Sequence, residues 1–309
     1  VTTKPAGHAD VVRALGRLCH EVREHEPLRK HVSFRIGGPA DLLVVPRSRE
    51  EVRAVASWLF AERVPFAVLG QGSNVLISDH GIRGIVLKIG KGLDRITLDG
   101  DRITAMAGAG LPHLARAAAG QGLAGLEFAA GIPASLGGAV VMNAGAHGHA
   151  MAEIVASARV LMPDGEHTMT PATLGYAYRT SVLQQRAAVV MEATLQLQRS
   201  TPDVVRRRTD EWLAHRAATQ PIGPPSSGCI FRNPAGDHAG RLIDLAGGKG
   251  LQVGAAQVSE IHANYIVNTG EASAADVLAL MHKVNALVAE KFGVELEPEI
   301  KLLGEFRVG

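Results

Sequence analysis

Apolar and polar positions alternate along the chain with two periods, and the switches between them outline its elements. Residues from about 11 to 24 set apolar side chains at helical spacing among charged ones, predicting a short leading helix. Asp41-Leu-Leu-Val-Val-Pro46 is strand-like, and Ser48 with Glu51 forms a capping box for an amphipathic helix to about Arg63. The apolar run Pro65-Phe-Ala-Val-Leu69 completes a strand–helix–strand reading of residues 40–69. Short strands are expected at Val75–Ile77 and Ile85–Ile89. Asp99-Gly100, between alternating runs at 93–98 and 102–106, signals a hairpin, and a helix follows near 112–119.

Residues 153–198 turn strand-rich, with runs at Ile154–Met162 and Ala187–Leu197 and a Pro163-Asp-Gly165 turn. Thr201-Pro202 supplies an N-cap and an N1 proline for a helix through about Ala218, and a domain boundary is expected there. The last third opens on the proline- and glycine-rich stretch 220–228. It continues with a helix near 238–246, strands near 251–258 and 263–268, a long helix over 273–291 and a terminal strand over 294–303. That is an α+β unit of ordinary domain size.

Two glycine-rich loops interrupt these elements: Gly70-Gln-Gly-Ser-Asn74, after a strand, and Gly131–Gly148, whose Ser135–Met142 portion can start a helix. Glycine lets backbone approach a ligand closely, and amides in such loops can cradle a phosphate. Most glycine clusters are only turns, but two of them beside buried-strand patterns favour a phosphate-bearing cofactor. The dinucleotide fingerprint G-x-G-x-x-G does not fit: Gly70-Gln-Gly72 lacks the third glycine, and Gly108-Ala-Gly110 follows a hairpin.

Composition narrows the class. With 309 residues, 46% hydrophobic, 20% charged and a net charge of +2, the chain reads as a globular protein of two or three domains. Its interspersed charges give no footprint for nucleic acid or a membrane. Cys19 and Cys229 cannot build a disulfide framework and suit a reducing compartment. Val1–His8 has no apolar signal core and no run of 18 apolar residues occurs, so a cytoplasmic protein is expected. His147-Gly-His149 has no cysteine or acidic cluster at ligand spacing; it reads as a loop pair, and no metal site is expected.

The ordered motifs carry more. Ser33-Phe-Arg-Ile-Gly-Gly-Pro-Ala-Asp41, Gly70–Asn74, Gly125-Leu-Glu-Phe128, Gly131–Gly148, Tyr178-Arg-Thr-Ser181 and Gln220-Pro221 occur first. Ser227-Gly-Cys-Ile-Phe-Arg-Asn-Pro234, His262-Ala-Asn264 and Leu296-Glu-Pro-Glu-Ile300 follow. Together, from about residue 25 to 304, they resemble the UDP-N-acetylenolpyruvoylglucosamine reductases, the MurB flavoenzymes, in the short form that lacks an extra tyrosine-bearing loop. The resemblance implies an α+β fold: a vanillyl-alcohol-oxidase (PCMH-type) FAD-binding domain of two α+β subdomains, residues 1–90 and 91–200. An α+β substrate-binding domain over 201–309 would follow, its final strand residues able to return to the FAD domain.

The implied reaction has NADPH reduce a non-covalently bound FAD. Hydride then passes from flavin N5 to the enolpyruvyl β-carbon of UDP-N-acetylglucosamine enolpyruvate, giving UDP-N-acetylmuramate for peptidoglycan precursors. The resemblance assigns FAD contacts to Gly70, Gly72, Ser73, Asn74, Gly131, Ser135, Gly138 and Asn143. It gives Arg179 the substrate carboxylate, Cys229 the proton for the α-carbon where serine is the more common residue, and Glu299 a part in polarisation or the proton path. A planar guanidinium suits a carboxylate whose charge grows, and a neutral thiol is a better acid than an alkanol. Alternation sets Glu297 and Glu299 on one strand face, so spacing alone does not choose between them. Arg216, Asn233, Lys249 and His262 are assigned to the uridine diphosphate end, while His147 stands where an aromatic is more usual. A monomer acting on a small molecule is expected, with no nucleic acid and no membrane insertion. Other readings are a flavin oxidase on the same fold, a nucleotide-sugar sensor without chemistry, and a thiol hydrolase using Cys229.

Overall fold

Ser48 caps the helix Arg49–Ala61, its side chain accepting from the Glu51 amide at 3.2 Å, and the helix buries Val52, Val55, Ala56 and Leu59. This computed structural model describes residues 7–306. Most of the Val1–His8 stretch read for a signal core, residues 1–6, therefore lies outside the described residues. The chain divides into two units, the first made of residues up to 24, 42–71 and 84–214, the second of 25–41, 72–83 and 215 onward.

In the first unit the leading helix is His8–Leu18, shorter than its periodicity suggested. Cys19 is already extended, and Val22–Pro27 forms a strand, because sheet pairing outcompetes a helical pattern there. The strand–helix–strand segment is realised as Pro39–Val44, Arg49–Ala61 and Phe66–Leu69. Its two strands are not neighbours: Ile82–Lys88 lies between them in the sheet and pairs in parallel with Phe66–Leu69. A second, antiparallel sheet runs Gly165–Met169, Val155–Met162, Val189–Gln196, Arg102–Met106, Ile96–Asp99. The strand Gly165–Met169 was not foreseen; its polar Glu166, His167 and Thr168 mask it. One apolar cluster, including Leu42, Leu87, Leu114, Leu136, Val160 and Leu195, fills this unit.

In the second unit Ser226–Cys229, Tyr265–Asn268, Ala256–Val258 and Gln252–Val253 make an antiparallel sheet in that order. The strand expected over 251–258 is thus a tight hairpin, Val253 facing Ala256 across Gly254, which adopts φ 53°. The helix Ala274–Phe292 starts on a reciprocal Ser273–Asp276 capping box and stops at Gly293, φ 67°. The Asp79 carboxylate accepts from the Ala274 and Ala275 amides at 2.7 and 3.0 Å, satisfying two further donors at that helix start. The terminal strand is only Lys301–Leu303, parallel to Val75–Ile77. Residues 294–300 are irregular, apart from a bridge between Pro298 and Phe231.

Candidate active site

In the first unit the two glycine loops meet. A Cβ on Gly70 would stand 2.3 Å from Ser135 Oγ, so only a glycine lets these segments touch. Ser135 is the N-cap of the helix Leu136–Met142, its Oγ accepting from the Gly138 amide at 3.4 Å. Gly137 packs inward, 2.9 Å from Ala107 if it carried a Cβ, whereas Gly138 is exposed. The amides of Leu136 and Gly137 are bound to the carbonyls of Ala109 and Ala107 at 2.7 and 2.8 Å. Glycine backbone therefore sets the approach of the two loops, and the Leu136 and Gly137 amides at the helix start are already bound. Gly131 is half-buried. Lys88 donates its ammonium to the Gly70 carbonyl, and burial brings its pKa down to about 8.

Asn143 ends the helix in the left-handed region, φ 45°, a usual place for asparagine. Its Nδ2 donates to the Ala177 carbonyl and its Oδ1 accepts from the Ala152 amide, both at 2.9 Å. Both side-chain polar atoms are committed to backbone, so its side chain fixes the Ala177–Ser181 segment beside the cradle. On that segment Arg179 takes φ 55°, a conformation costing about 1 kcal/mol or more for a residue with a Cβ. Its Nη2 donates to the Gly145 carbonyl at 2.7 Å and its guanidinium lies 5.0 Å from the Tyr178 ring centre. His147 stacks on Trp212 at 4.8 Å between centroids.

In the second unit Gly72 has φ 67°, and a Cβ there would strike the His31 carbonyl at 2.6 Å. Ser73 is half-buried on the same loop, and Asn74 donates from Nδ2 to the Glu299 carbonyl at 3.3 Å. The Glu299 amide is bound to the Ile230 carbonyl at 2.7 Å, one residue from Cys229. Glu297 points away: its side chain is 79% exposed and lies 3.9 Å from Arg232. The structure thus separates two glutamates that alternation left equivalent.

Tyr265, which the ordered motifs do not include, stands among Cys229, His262 and Gln220. It faces Cys229 across the strand pair, is 5% exposed, and donates from its hydroxyl to Gln220 Oε1 at 2.8 Å. Its pKa is raised, first by burial and then by Cys229 and Glu299; Arg216 acts in the opposite direction. His262 meets the Tyr265 ring edge-on at 4.9 Å, and its pKa is lowered by burial, with Lys249 adding to the shift. Lys249 also pairs with Asp244 at 2.8 Å, and Asn233 caps the helix Ala239–Leu245 by accepting from Ala239 at 3.1 Å. Cys229 and His262 therefore flank one buried phenol, on which the charges of Glu299 and Arg216 also act, while Asn233 is bound to the next helix. Tyr265 directly follows the His262-Ala-Asn264 motif, but a tyrosine in an apolar strand reads as core.

A glycine-cradled loop pair beside an antiparallel sheet, followed by an α+β unit carrying thiol, carboxylate and guanidinium, defines a flavin-dependent oxidoreductase with a separate C-terminal domain. The FAD binding domain family model matches residues 40–170, and that of the UDP-N-acetylenolpyruvoylglucosamine reductase C-terminal domain matches 220–303. The UDP-N-acetylenolpyruvoylglucosamine reductase of Bacillus velezensis is 45% identical over 92% of this chain and 94% of its own. UDP-N-acetylenolpyruvoylglucosamine reductase 2 of Symbiobacterium thermophilum is 45% identical over 96% of both. The crystal structure of UDP-N-acetylenolpyruvylglucosamine reductase (MurB) from Thermus caldophilus matches with a TM-score of 0.80 and 38% identity, over 92% of this chain and all of that one. The chain belongs to the UDP-N-acetylenolpyruvoylglucosamine reductase family. It is an oxidoreductase of α+β fold with a PCMH-type FAD-binding domain, and FAD is its cofactor. The close approach of the two glycine-rich loops at Gly70 and Ser135, with Gly138 exposed beside them, fits such a group. Among the described residues no helix is long and apolar enough to cross a membrane.

Proposed function

We propose that this protein reduces UDP-N-acetylglucosamine enolpyruvate to UDP-N-acetylmuramate with NADPH. The observation that carries the proposal is the 2.7 Å bond from the Glu299 amide to the Ile230 carbonyl, which sets Glu299 beside the segment bearing Cys229 in the unit that also holds Arg216 and His262. Gly70, Gly72, Ser73, Asn74, Gly131, Ser135, Gly138 and Asn143 hold the FAD, Asn143 through its backbone. Bound there, FAD would supply the hydride transfer from NADPH to the enolpyruvyl β-carbon.

The protein's own residues do the rest. Arg179, fixed on the Gly145 carbonyl, binds the substrate carboxylate, whose charge grows as the β-carbon gains hydride. Cys229 gives its Sγ proton to the α-carbon, and Glu299 polarises the same group. Arg216, Asn233, Lys249 and His262 take the uridine diphosphate end. Burial favours neutral His262, which suits it to hydrogen bonding rather than to charge. Two flavin-binding subdomains, residues 1–90 and 91–200, and a substrate-binding domain over 201–309 belong to the same proposal. Family models ending at 170 and beginning at 220 support a boundary between those domains. The enzyme works as a cytoplasmic monomer.

The test is the absorbance of the purified yellow protein. NADPH should bleach the flavin bands anaerobically, and the enolpyruvyl substrate should restore them with one equivalent of UDP-N-acetylmuramate formed. Flavin that oxygen reoxidises as fast as the substrate does would favour an oxidase. Flavin that NADPH fails to reduce would overturn the proposal.

A further inference from the structure

The Arg179 guanidinium lies against Gly145: Nη2 donates to the Gly145 carbonyl at 2.7 Å, and a Cβ on Gly145 would stand 3.0 Å from Nη1. Gly145 opens a hairpin of two-residue strands, Gly145–Ala146 against His149–Ala150, turned by His147 at φ 54° and Gly148 at φ 81°. Positive φ at both turn residues closes such a hairpin, and asparagine or glycine meets that demand with least strain. Here the first of them is a histidine. Strands this short have little stability of their own. Where the Gly145 carbonyl sits therefore depends on what the hairpin is fastened to.

Backbone ties its foot, the Met151 amide donating to the Ala144 carbonyl at 2.9 Å. Rings hold the rest. His147 stacks on Trp212 with centroids 4.8 Å apart and planes at 19°, and His149 lies 5.7 Å from the same indole. His149 also stacks on buried Phe128 at 6.1 Å. Its Nδ1 meets Glu153 Oε2 at 2.7 Å, while Glu153 Oε1 accepts from the Ala150 amide at 2.9 Å. Trp212 has its own anchorage. It follows the buried Val205 and Thr209 at i, i+4, i+7 on the helix Pro202–Thr219 and packs half-buried against the apolar cluster. The Arg208 guanidinium lies 4.9 Å from its ring centre. We infer that Trp212, by holding both histidine rings, sets the Gly145 carbonyl and through it the Arg179 guanidinium. Trp212 is thus a positioning residue for recognition of a carboxylate-bearing substrate. The inference rests on the reading of Arg179 as the group that binds that carboxylate.

The test is calorimetric binding to oxidised holoenzyme without NADPH, so that no turnover occurs. Two ligands are compared: UDP-N-acetylglucosamine enolpyruvate, and UDP-N-acetylglucosamine, which lacks the enolpyruvyl carboxylate. Trp212→Ala should weaken the first roughly tenfold, the scale of one charge-assisted hydrogen bond, and leave the second unchanged. Trp212→Phe keeps a ring for the histidines and should restore most of that difference. His147→Gly relaxes the turn while removing one stacked ring, so folding is not at risk. It should lower the same preference by a smaller factor, about threefold. In an Arg179→Ala background, Trp212→Ala should add no further loss. Equal losses for both ligands, full affinity in Trp212→Ala, or additive losses in the double variant would overturn the inference. If Arg179→Ala itself keeps the preference for the carboxylate, the reading of Arg179 falls, and the positioning role falls with it.

Discussion

The side chain of Asn74 holds the backbone of Glu299, Nδ2 to carbonyl oxygen at 3.3 Å across 225 positions of sequence. The Lys301 amide returns the bond to the Asn74 carbonyl at 3.0 Å, so the glycine loop and the acidic segment are fastened as one piece. Asn74→Ala removes one neutral hydrogen bond and should cost about 1 kcal/mol of stability. The larger effect should be on turnover, a fall of about tenfold or more with KM changed less, because Glu299 is no longer fixed. Steady-state kinetics alongside urea unfolding separates the two, and unchanged kcat would show that Glu299 needs no such support.

The cradle is tested by two glycines with different surroundings. Gly70→Ala drives a methyl against Ser135 Oγ and should cost about 1–3 kcal/mol while weakening flavin retention at least tenfold. Gly138→Ala is exposed and meets Ser135 Oγ only at 3.4 Å, so stability should hardly change. If flavin approaches the backbone at Gly138, its affinity should still fall. Equilibrium dialysis with FAD decides this, and equal affinity in Gly138→Ala and the unaltered protein would remove Gly138 from the cradle.

At the proton donor, Cys229→Ser should keep much of the activity and Cys229→Ala should lose most of it, about a hundredfold or more. Anaerobic reoxidation of the reduced flavin by substrate reads this step directly. Equal rates in both variants would take Cys229 out of the mechanism. Glu299→Gln should also be slow, whereas Glu297→Gln, which alters an exposed side chain, should be near normal.

Lys88 gives a pH signature. Lysine titrates near 10.4 in an unfolded chain, but at about 8 here. Between those values the unfolded chain binds more protons, so stability rises with pH from about 8 upward, and below about 8 the burial cost is fully present. Partial exposure of the side chain limits that cost to about 1–2 kcal/mol. Lys88→Met should remove the rise and stabilise the protein at pH 7 by about that amount. Urea unfolding between pH 7 and 9.5, below the range in which tyrosines titrate, checks it; parallel curves for the two proteins would refute it.

Much of the local structure was legible because it is encoded within a few residues. The Ser48–Glu51 cap, the hairpin around Gly100, the Pro202 helix start and the Ser273 helix start each rest on neighbours in sequence. Errors came where pairing partners lie far away. Val22–Glu24 fits a helical pattern but belongs to the strand Val22–Pro27, and Gly165–Met169 is polar on its surface yet pairs along its whole length with Val155–Met162.

The sequence by itself determined the ordered motifs, the two glycine loops and the residues that carry the proposed chemistry, since type and spacing survive without coordinates. Only the tertiary structure distinguished Glu299 from Glu297, because the expected strand is irregular there and Pro298 bridges to Phe231. It also committed both polar atoms of Asn143 to backbone, and it set Tyr265 opposite Cys229 and against the His262 ring. Those outcomes depend on which hydrogen-bond partners remain once distant segments have packed, and no local pattern in the chain records that.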